Sequence, residues 1–310
     1  MGLVDVQDYT AEGWAEPGRK DERSRWYCER LEQGEILFFG RTPFRLPQPD
    51  RAFLTEVRQS SSTYFKNISY RPKEDRVRGV ARGSADAEAL CSIMRAYSRE
   101  VIGFAARFLA PYASGWKVDL ASFRSVEESG RKLATKARND LLHVDAFPTR
   151  PTNGGRILRV FTNINPAQPR VWLTGEPFAA LAGGYAGDAG LAKFAAQARS
   201  PWRPLRRLLP RLAHSAGLPV ADRSPYDAFM LGFHDYLKRN RAFQETSPKS
   251  QWEFPPNSTW IVFTDTVPHA VLSGQFALEQ TFIVPRQSLV APDRAPVSIL
   301  EKLCGSPLTN

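Results

Sequence analysis

Short segments that alternate or branch at Cβ recur in two sets, each segment bounded by proline, glycine or asparagine. The first set is "WKVDLASF" (116–123), "LLHVDAF" (141–147), "RILRVFTNIN" (156–165) and "RVWLT" (170–174). The second is "STWIVFTD" (258–265), "VPHAVL" (267–272) and "QFALEQTFIVP" (275–285). Period-two runs of this length with turn residues between them are strands of antiparallel sheet. Such strands bury an alternating face by packing sheet on sheet, so they close into a sandwich or barrel. The pattern predicts a mainly β chain with helices (α+β): one jelly-roll-like barrel with helical additions.

The helical parts are equally legible. In "GSADAEALCSIMRAYSREVIGFAARFLAPY" (83–112), Leu90, Ile93, Met94, Tyr97, Val101, Phe104, Ala105 and Phe108 repeat at helical spacing, and Pro111 is expected to end the run. This reads as a scaffold helix laid on a sheet. In "RSPYDAFMLGFHDYLKRNR" (223–241), Ser224 caps a second helix, with Pro225 at its first position and Asp227 in its first turn. The expected organisation is a single domain over 1–310. Residues 1–83 form an irregular, mixed N-terminal region with a strand-like "EILFF" (35–39), 84–174 and 251–290 form the barrel and scaffold helix, and 175–250 form a helical insertion, a lid or a membrane-contacting segment.

With 42% hydrophobic residues in 310, the chain can bury a large core. No apolar run approaches the eighteen or so residues a spanning helix needs, and the start "MGLVDVQDYTAEGW" lacks a secretory pattern. The three cysteines, Cys28, Cys91 and Cys304, are scattered and odd in number, which suits a reducing compartment, and cytoplasm is the expectation. The net charge of +10 favours an anionic partner: a polyanionic substrate or an anionic membrane face. Nucleic acid is disfavoured, because the basic residues are not interleaved with a stacking platform or recognition motif.

Chemistry concentrates at "NDLLHVDAFPTRP" (139–151). Residues two apart on a strand share a face, so His143 and Asp145 would aim together. A third ligand from another strand would complete a facial triad on iron(II) with open positions left over. Of the remaining histidines, His214 and His234 fall in the helical insertion, and His269 alone lies on a strand. The competing reading makes His143 and His269 core histidines with satisfied hydrogen bonds. Zinc fits less well, wanting two or three histidines with Cys or Glu.

An iron oxygenase that uses 2-oxoglutarate also needs a buried cation for that molecule's distal carboxylate. On "GGRILRVFTNINP", Arg159, Phe161, Asn163 and Asn165 share a face, with Arg156 on the other. Arg159 is the expected anchor with Asn163 beside it, and Arg286 is the competitor.

These residues carry a resemblance. "YFKNISYRP" (64–72), "RNDLLHVDAFPTRPTNGGRILRVFTNINP" (138–166), "RVW" (170–172) and "VPHAVLSGQFALEQTF" (267–282) resemble the bacterial Kdo hydroxylases, iron(II)- and 2-oxoglutarate-dependent dioxygenases. The resemblance covers about residues 30–285 and implies a double-stranded β-helix core, with His143, Asp145 and His269 as the metal triad. It implies hydroxylation at C3 of 3-deoxy-D-manno-oct-2-ulosonic acid (Kdo) in Kdo-lipid A, giving the talo-configured sugar acid, succinate and carbon dioxide. Many members of the superfamily carry an Arg or Lys about ten residues past the distal histidine. Here Leu278, Glu279 and Gln280 occupy that neighbourhood and Gln275 the comparable strand position, which turns attention to Arg159.

A substrate bearing a sugar carboxylate and phosphates calls for cations near the metal strands. Arg150 follows the HxD, and Lys132, Lys136 and Arg138 precede it, the last three on one face if the segment is a strand. In the insertion, Trp202, Leu205, Leu208, Leu209 and Leu212 lie among Arg203, Arg206, Arg207 and Arg211. Such a segment suits peripheral contact with the cytoplasmic face of the bacterial inner membrane. Two alternatives stand beside this reading: an oxygenase acting on another substrate, and a non-catalytic basic β-barrel binding module. Oligomeric state is open.

Overall fold

The computed structural model describes residues 2–14, 19–56, 68–80, 85–200 and 222–309. Its strands are β1 (Leu3–Asp5), β2 (Ile36–Phe39), β3 (Ile68–Arg71), β4 (Arg76–Arg78), β5 (Lys117–Arg124), β6 (Arg156–Asn163), β7 (Arg170–Thr174), β8 (Ser250–Phe254), β9 (Thr259–Phe263), β10 (His269–Ser273) and β11 (Ala277–Val284). Its helices are α1 (Arg19–Glu32), α2 (Gln48–Glu56), α3 (Ala85–Phe108), α4 (Ala110–Ala113), α5 (Phe178–Tyr185), α6 (Leu191–Arg199), α7 (Pro225–Arg239), α8 (Arg241–Thr246) and α9 (Pro296–Cys304).

Eight strands form one sheet in the order β1-β2-β9-β6-β11-β5-β3-β4, and three form a second in the order β10-β7-β8. Parity sorts the side chains of the large sheet onto two faces. Leu158, Val160, Ile261, Phe263, Leu278 and Phe282 pack with Leu90, Met94, Tyr97, Val101, Phe104 and Phe108 of α3 in the larger apolar cluster. The intervening residues Phe161, Trp260 and Val262 turn the other way, into a second cluster with Trp172, Phe254, Val267 and Val271. That second cluster is the interior between the two sheets. The expected α+β barrel with a scaffold helix is therefore what forms.

Each side chain of α3 buried this way contributes about 1.5–3 kcal/mol, which explains the run of large apolar residues on one helix face. The capping box read from the sequence closes the start of α7: Ser224 accepts from the Asp227 amide, and Asp227 accepts from the Ser224 amide. Gly274 sits at φ 123°, and a Cβ there would lie 2.9 Å from the Arg170 Cα, so only glycine lets β7 and the end of β10 approach.

Several expectations need correction. The described part of the N-terminal region is mixed, and it holds two helices, α1 and α2, that the expectation did not name among its short strands. Helix α3 stops at Phe108, and Pro111 opens the short α4 instead of ending the long helix. Among the described residues of 175–250, the last helix ends at Thr246; β8 starts at Ser250 and pairs with β7. The helices of that stretch share the main core, because Phe178, Leu181, Phe229, Phe233 and Phe243 belong to the larger cluster. Residues 131–140 are not a strand, and a turn of 3-10 helix at Thr135–Ala137 removes the common face expected for Lys132, Lys136 and Arg138. The segment from Trp202 to Leu212 lies outside the described residues. No helix among the described residues is long and apolar enough to cross a membrane.

Candidate metal centre

The HxD segment is also not a strand. It makes one isolated bridge, His143 opposite His269. Two residues further on, the Asp145 amide donates instead to the Thr264 carbonyl at 2.8 Å, just past the end of β9. The segment thus steps from the small sheet at residue 143 to the large sheet at residue 145. A regular strand would have stayed on one sheet.

This step brings three side chains together. His143, Asp145 and His269 offer ligand atoms all within 4.8 Å of one another, and they are the one such group among the described residues. The two Nε2 atoms each lie 3.9 Å from an Asp145 oxygen, His143 from Oδ1 and His269 from Oδ2. Each Nδ1 points at a backbone carbonyl, Leu141 at 2.7 Å for His143 and Val267 at 2.9 Å for His269. A carbonyl only accepts, so Nδ1 carries the proton and Nε2 presents a lone pair. Burial lowers both imidazole pKa values, that of His143 strongly with further push from His269 and Lys238, so both stay neutral. Burial alone would raise the Asp145 carboxyl, the largest single effect on it, but the charges and hydrogen bonds around it, Arg159 foremost, together hold it far below its usual range. Two imidazole lone pairs therefore face an ionised carboxylate whose Oδ2 is ion-paired with Arg159 but accepts no well-aligned hydrogen bond among the described residues. That donor set fits a cation.

Around the triad the side chains are fixed in turn. Trp172 stacks on His269 with ring centroids 5.2 Å apart. His234 of α7 meets His143 edge-on at 4.9 Å, and its Nδ1 lies 2.8 Å from the Val144 carbonyl. Arg159 reaches from β6 to Asp145 Oδ2 at 3.1 Å and to Glu279 Oε1 at 3.1 Å. Arg124 pairs with the other oxygen of Glu279 at 2.5 Å. Burial would raise the Glu279 carboxyl, yet Arg159 and Arg124 bring it below its usual value. Deeper in the barrel, Arg170 donates to the Gly274 carbonyl at 2.8 Å and lies 3.6 Å from Glu128; burial lowers its pKa to about 10. The Nε atoms of Arg159 and Arg170 and the indole nitrogens of Trp172 and Trp260 are buried without partners among the described residues. Buried polar atoms of this kind are rare in folded proteins, and these suit a polar molecule held inside the barrel.

The other nominated residues lie elsewhere. The amide of Asn163 donates to the Gln168 and Phe254 carbonyls and accepts from the Asn165 amide, so it is consumed by the turn after β6. Gln275 donates to the Ser125 carbonyl. Arg286 forms an exposed pair with Glu301 at 3.1 Å. Lys136 pairs with Asp235 at 3.0 Å, Arg138 with Asp140, and Arg150 with Asp119 while stacking on Phe147. Sequence reasoning passed over Arg124, Glu279 as a partner of Arg159, His234 and Lys238. The last two sit one turn apart on α7, and a lysine beside the buried stripe Met230, Phe233, Leu237 was the available signal.

The family model for 3-deoxy-D-manno-oct-2-ulosonic acid (Kdo) hydroxylase matches residues 14–307. The apo structure of the Kdo hydroxylase KdoO, a non-heme Fe(II) alphaketoglutarate-dependent dioxygenase, is 36% identical, covers 100% of this chain and 98% of its own, and superposes with a TM-score of 0.83. The same enzyme with alphaketoglutarate and Fe(III) gives 36% identity, coverage of 100% and 98%, and a TM-score of 0.81. Its cobalt(II) complex gives 36%, coverage of 99% and 97%, and 0.82. No curated protein matches.

Proposed function

The chain belongs to the Kdo hydroxylase family of Fe(II)/2-oxoglutarate dioxygenases, and on that premise we propose that it hydroxylates C3 of Kdo in Kdo-lipid A, with His143, Asp145 and His269 as its iron ligands. The observation that carries the assignment of ligands is the convergence of two neutral imidazoles and one ionised carboxylate.

Iron(II), 2-oxoglutarate and oxygen together supply the oxidant, with succinate and carbon dioxide released. The chain's residues do the rest. The Leu141 and Val267 carbonyls fix the imidazole tautomers, so that both Nε2 atoms would hold a metal ion without a proton to lose. Arg159 orients Asp145 and, with Arg124, offers cationic donors to the distal carboxylate of 2-oxoglutarate. Phe161, Trp172 and Trp260 line the interior and keep water from the reacting centre. Arg150, Lys136 and Arg138 already hold acidic side chains, and an anionic substrate would take over these pairings at the rim. The net charge of +10 supports work at the anionic cytoplasmic face of the inner membrane.

The test is product analysis. Protein reconstituted anaerobically with iron(II), then given 2-oxoglutarate, oxygen and Kdo-lipid A, is expected to form succinate in step with a Kdo bearing one added oxygen at C3. Oxygen appearing at another carbon, or succinate that does not respond to the sugar, would remove the reading.

A further inference from the structure

Lys238 is a buried ammonium with no carboxylate at ion-pair distance among the described residues. It lies on α7 one turn after His234, whose ring meets that of His143. Its exposure is 4%. Its Nζ donates to the Lys136 carbonyl at 3.2 Å, and among the described residues it has no carboxylate oxygen within 4.0 Å. The acidic group that acts on it most is Asp145, followed by Asp235 and Asp140. Of these, Asp145 is committed to Arg159, Asp235 to Lys136 and Arg239, and Asp140 to Arg138. A buried ammonium with one neutral acceptor is costly unless an anion completes its shell.

The other cations near the triad are already matched. Arg159 lies between Asp145 and Glu279, and Arg124 pairs with Glu279. Lys136, Arg138 and Arg150 each hold an aspartate. Lys238 therefore can take an incoming anion without an existing ion pair having to open first.

The substrate supplies one of fixed position. In Kdo the C1 carboxylate is attached to C2, next to the C3 carbon that reacts. A C3 presented to the metal brings that carboxylate into the first layer of side chains around the triad. Resting on the functional reading above, we propose that Lys238 receives the C1 carboxylate of the sugar acid and so selects a 2-ulosonic acid and orients its C3 toward the metal. His234, one turn before Lys238 on the same helix, touches His143 and so ties that helix to the triad.

The experiment pairs a substrate change with a side-chain change. Kdo glycoside and its C1 carboxamide, the same sugar without the charge, are compared in wild type and in Lys238→Met. The wild type is expected to favour the acid over the amide by about 10- to 100-fold in kcat/KM, the scale of one charge-assisted hydrogen bond. In Lys238→Met that preference should collapse to within about threefold, the loss falling on KM for the acid, by the logic of a double-mutant cycle. Lys238→Gln, which keeps a donor for the Lys136 carbonyl but no charge, should behave alike, and Lys238→Arg should recover part of the preference. An unchanged acid-to-amide ratio in Lys238→Met or Lys238→Gln overturns the proposal. A wild-type enzyme that turns over neither sugar refutes the functional reading itself, a result distinct from the first.

Discussion

His143 and His269 exchange both of their backbone hydrogen bonds, N–H to carbonyl at 3.1 Å one way and 2.9 Å the other. Residues opposed in this manner on antiparallel chains present their side chains to one face. A separation of 126 positions in sequence thus becomes direct juxtaposition in space, before any metal acts on the pair. Asp145 then enters from the same segment because its own amide is held by Thr264. Backbone pairing organises the triad, and the side chains complete it.

Asp145→Ala is expected to reduce iron-dependent succinate formation to background. The fold should survive, because Arg159 keeps Glu279 at 3.1 Å as a counter-ion. Iron titration and thermal unfolding of the same preparation check both halves.

Arg159→Met removes the strongest of the groups that offset burial at Asp145 and leaves Glu279 with Arg124 as its one cation. Loss of such an outer partner of a ligand lowers metal affinity by about 10- to 100-fold. Weaker 2-oxoglutarate binding should accompany it, and Arg159→Lys should rescue little, since an ammonium cannot span two carboxylates as a guanidinium does. Isothermal titration with cobalt(II), then with 2-oxoglutarate, reads both.

How much of this was visible beforehand depended on what kind of contact placed each residue. The strands, α3 and the Ser224 cap follow from periodicity and local hydrogen bonding, which are properties of neighbouring residues. His143, Asp145 and His269 were legible because their types are rare in such a setting and few alternatives existed. Arg124 and Lys238 were not, because their roles arise from β5 lying beside β11 and from α7 lying against the HxD segment. Asn163 misled for the same reason: strand parity gave its face, but the turn to Gln168 claimed its amide. The 131–140 segment misled in the opposite way, since its lysines and arginines suggested an edge strand where a 3-10 turn forms.

Behind the site, Arg156 pairs with Asp265 at 3.0 Å in full burial and is also bonded to Thr266. This pair secures the residue next to Thr264, on which Asp145 hangs. Arg156→Leu should cost about 3–5 kcal/mol of stability, the usual effect of stranding one buried charge. Urea unfolding measures it, and replacing Arg156 and Asp265 together by apolar residues should recover much of the loss.

The ammonium of Lys238 carries a pH signature. Burial lowers its pKa to about 8, partly offset by Asp145, Asp235 and Asp140, while His143, His234 and His269 facing it stay neutral. Below pH 8 the amine is charged and available to a carboxylate, and it loses its proton as pH rises through that value. KM for the sugar acid should therefore climb above about pH 8, with kcat/KM falling. The kcat profile should be flatter, because a bound carboxylate holds the proton on. Lys238→Met should lack the rise, and steady-state assays across pH 7 to 10 test it.

The most direct measurement is the anomalous scattering of a crystal loaded with iron(II) without oxygen. One iron peak is predicted about 2.0–2.2 Å from His143 Nε2, from His269 Nε2 and from an Asp145 oxygen, the usual range for such ligands. A peak coordinated by other residues, with this trio left apart, would contradict the account.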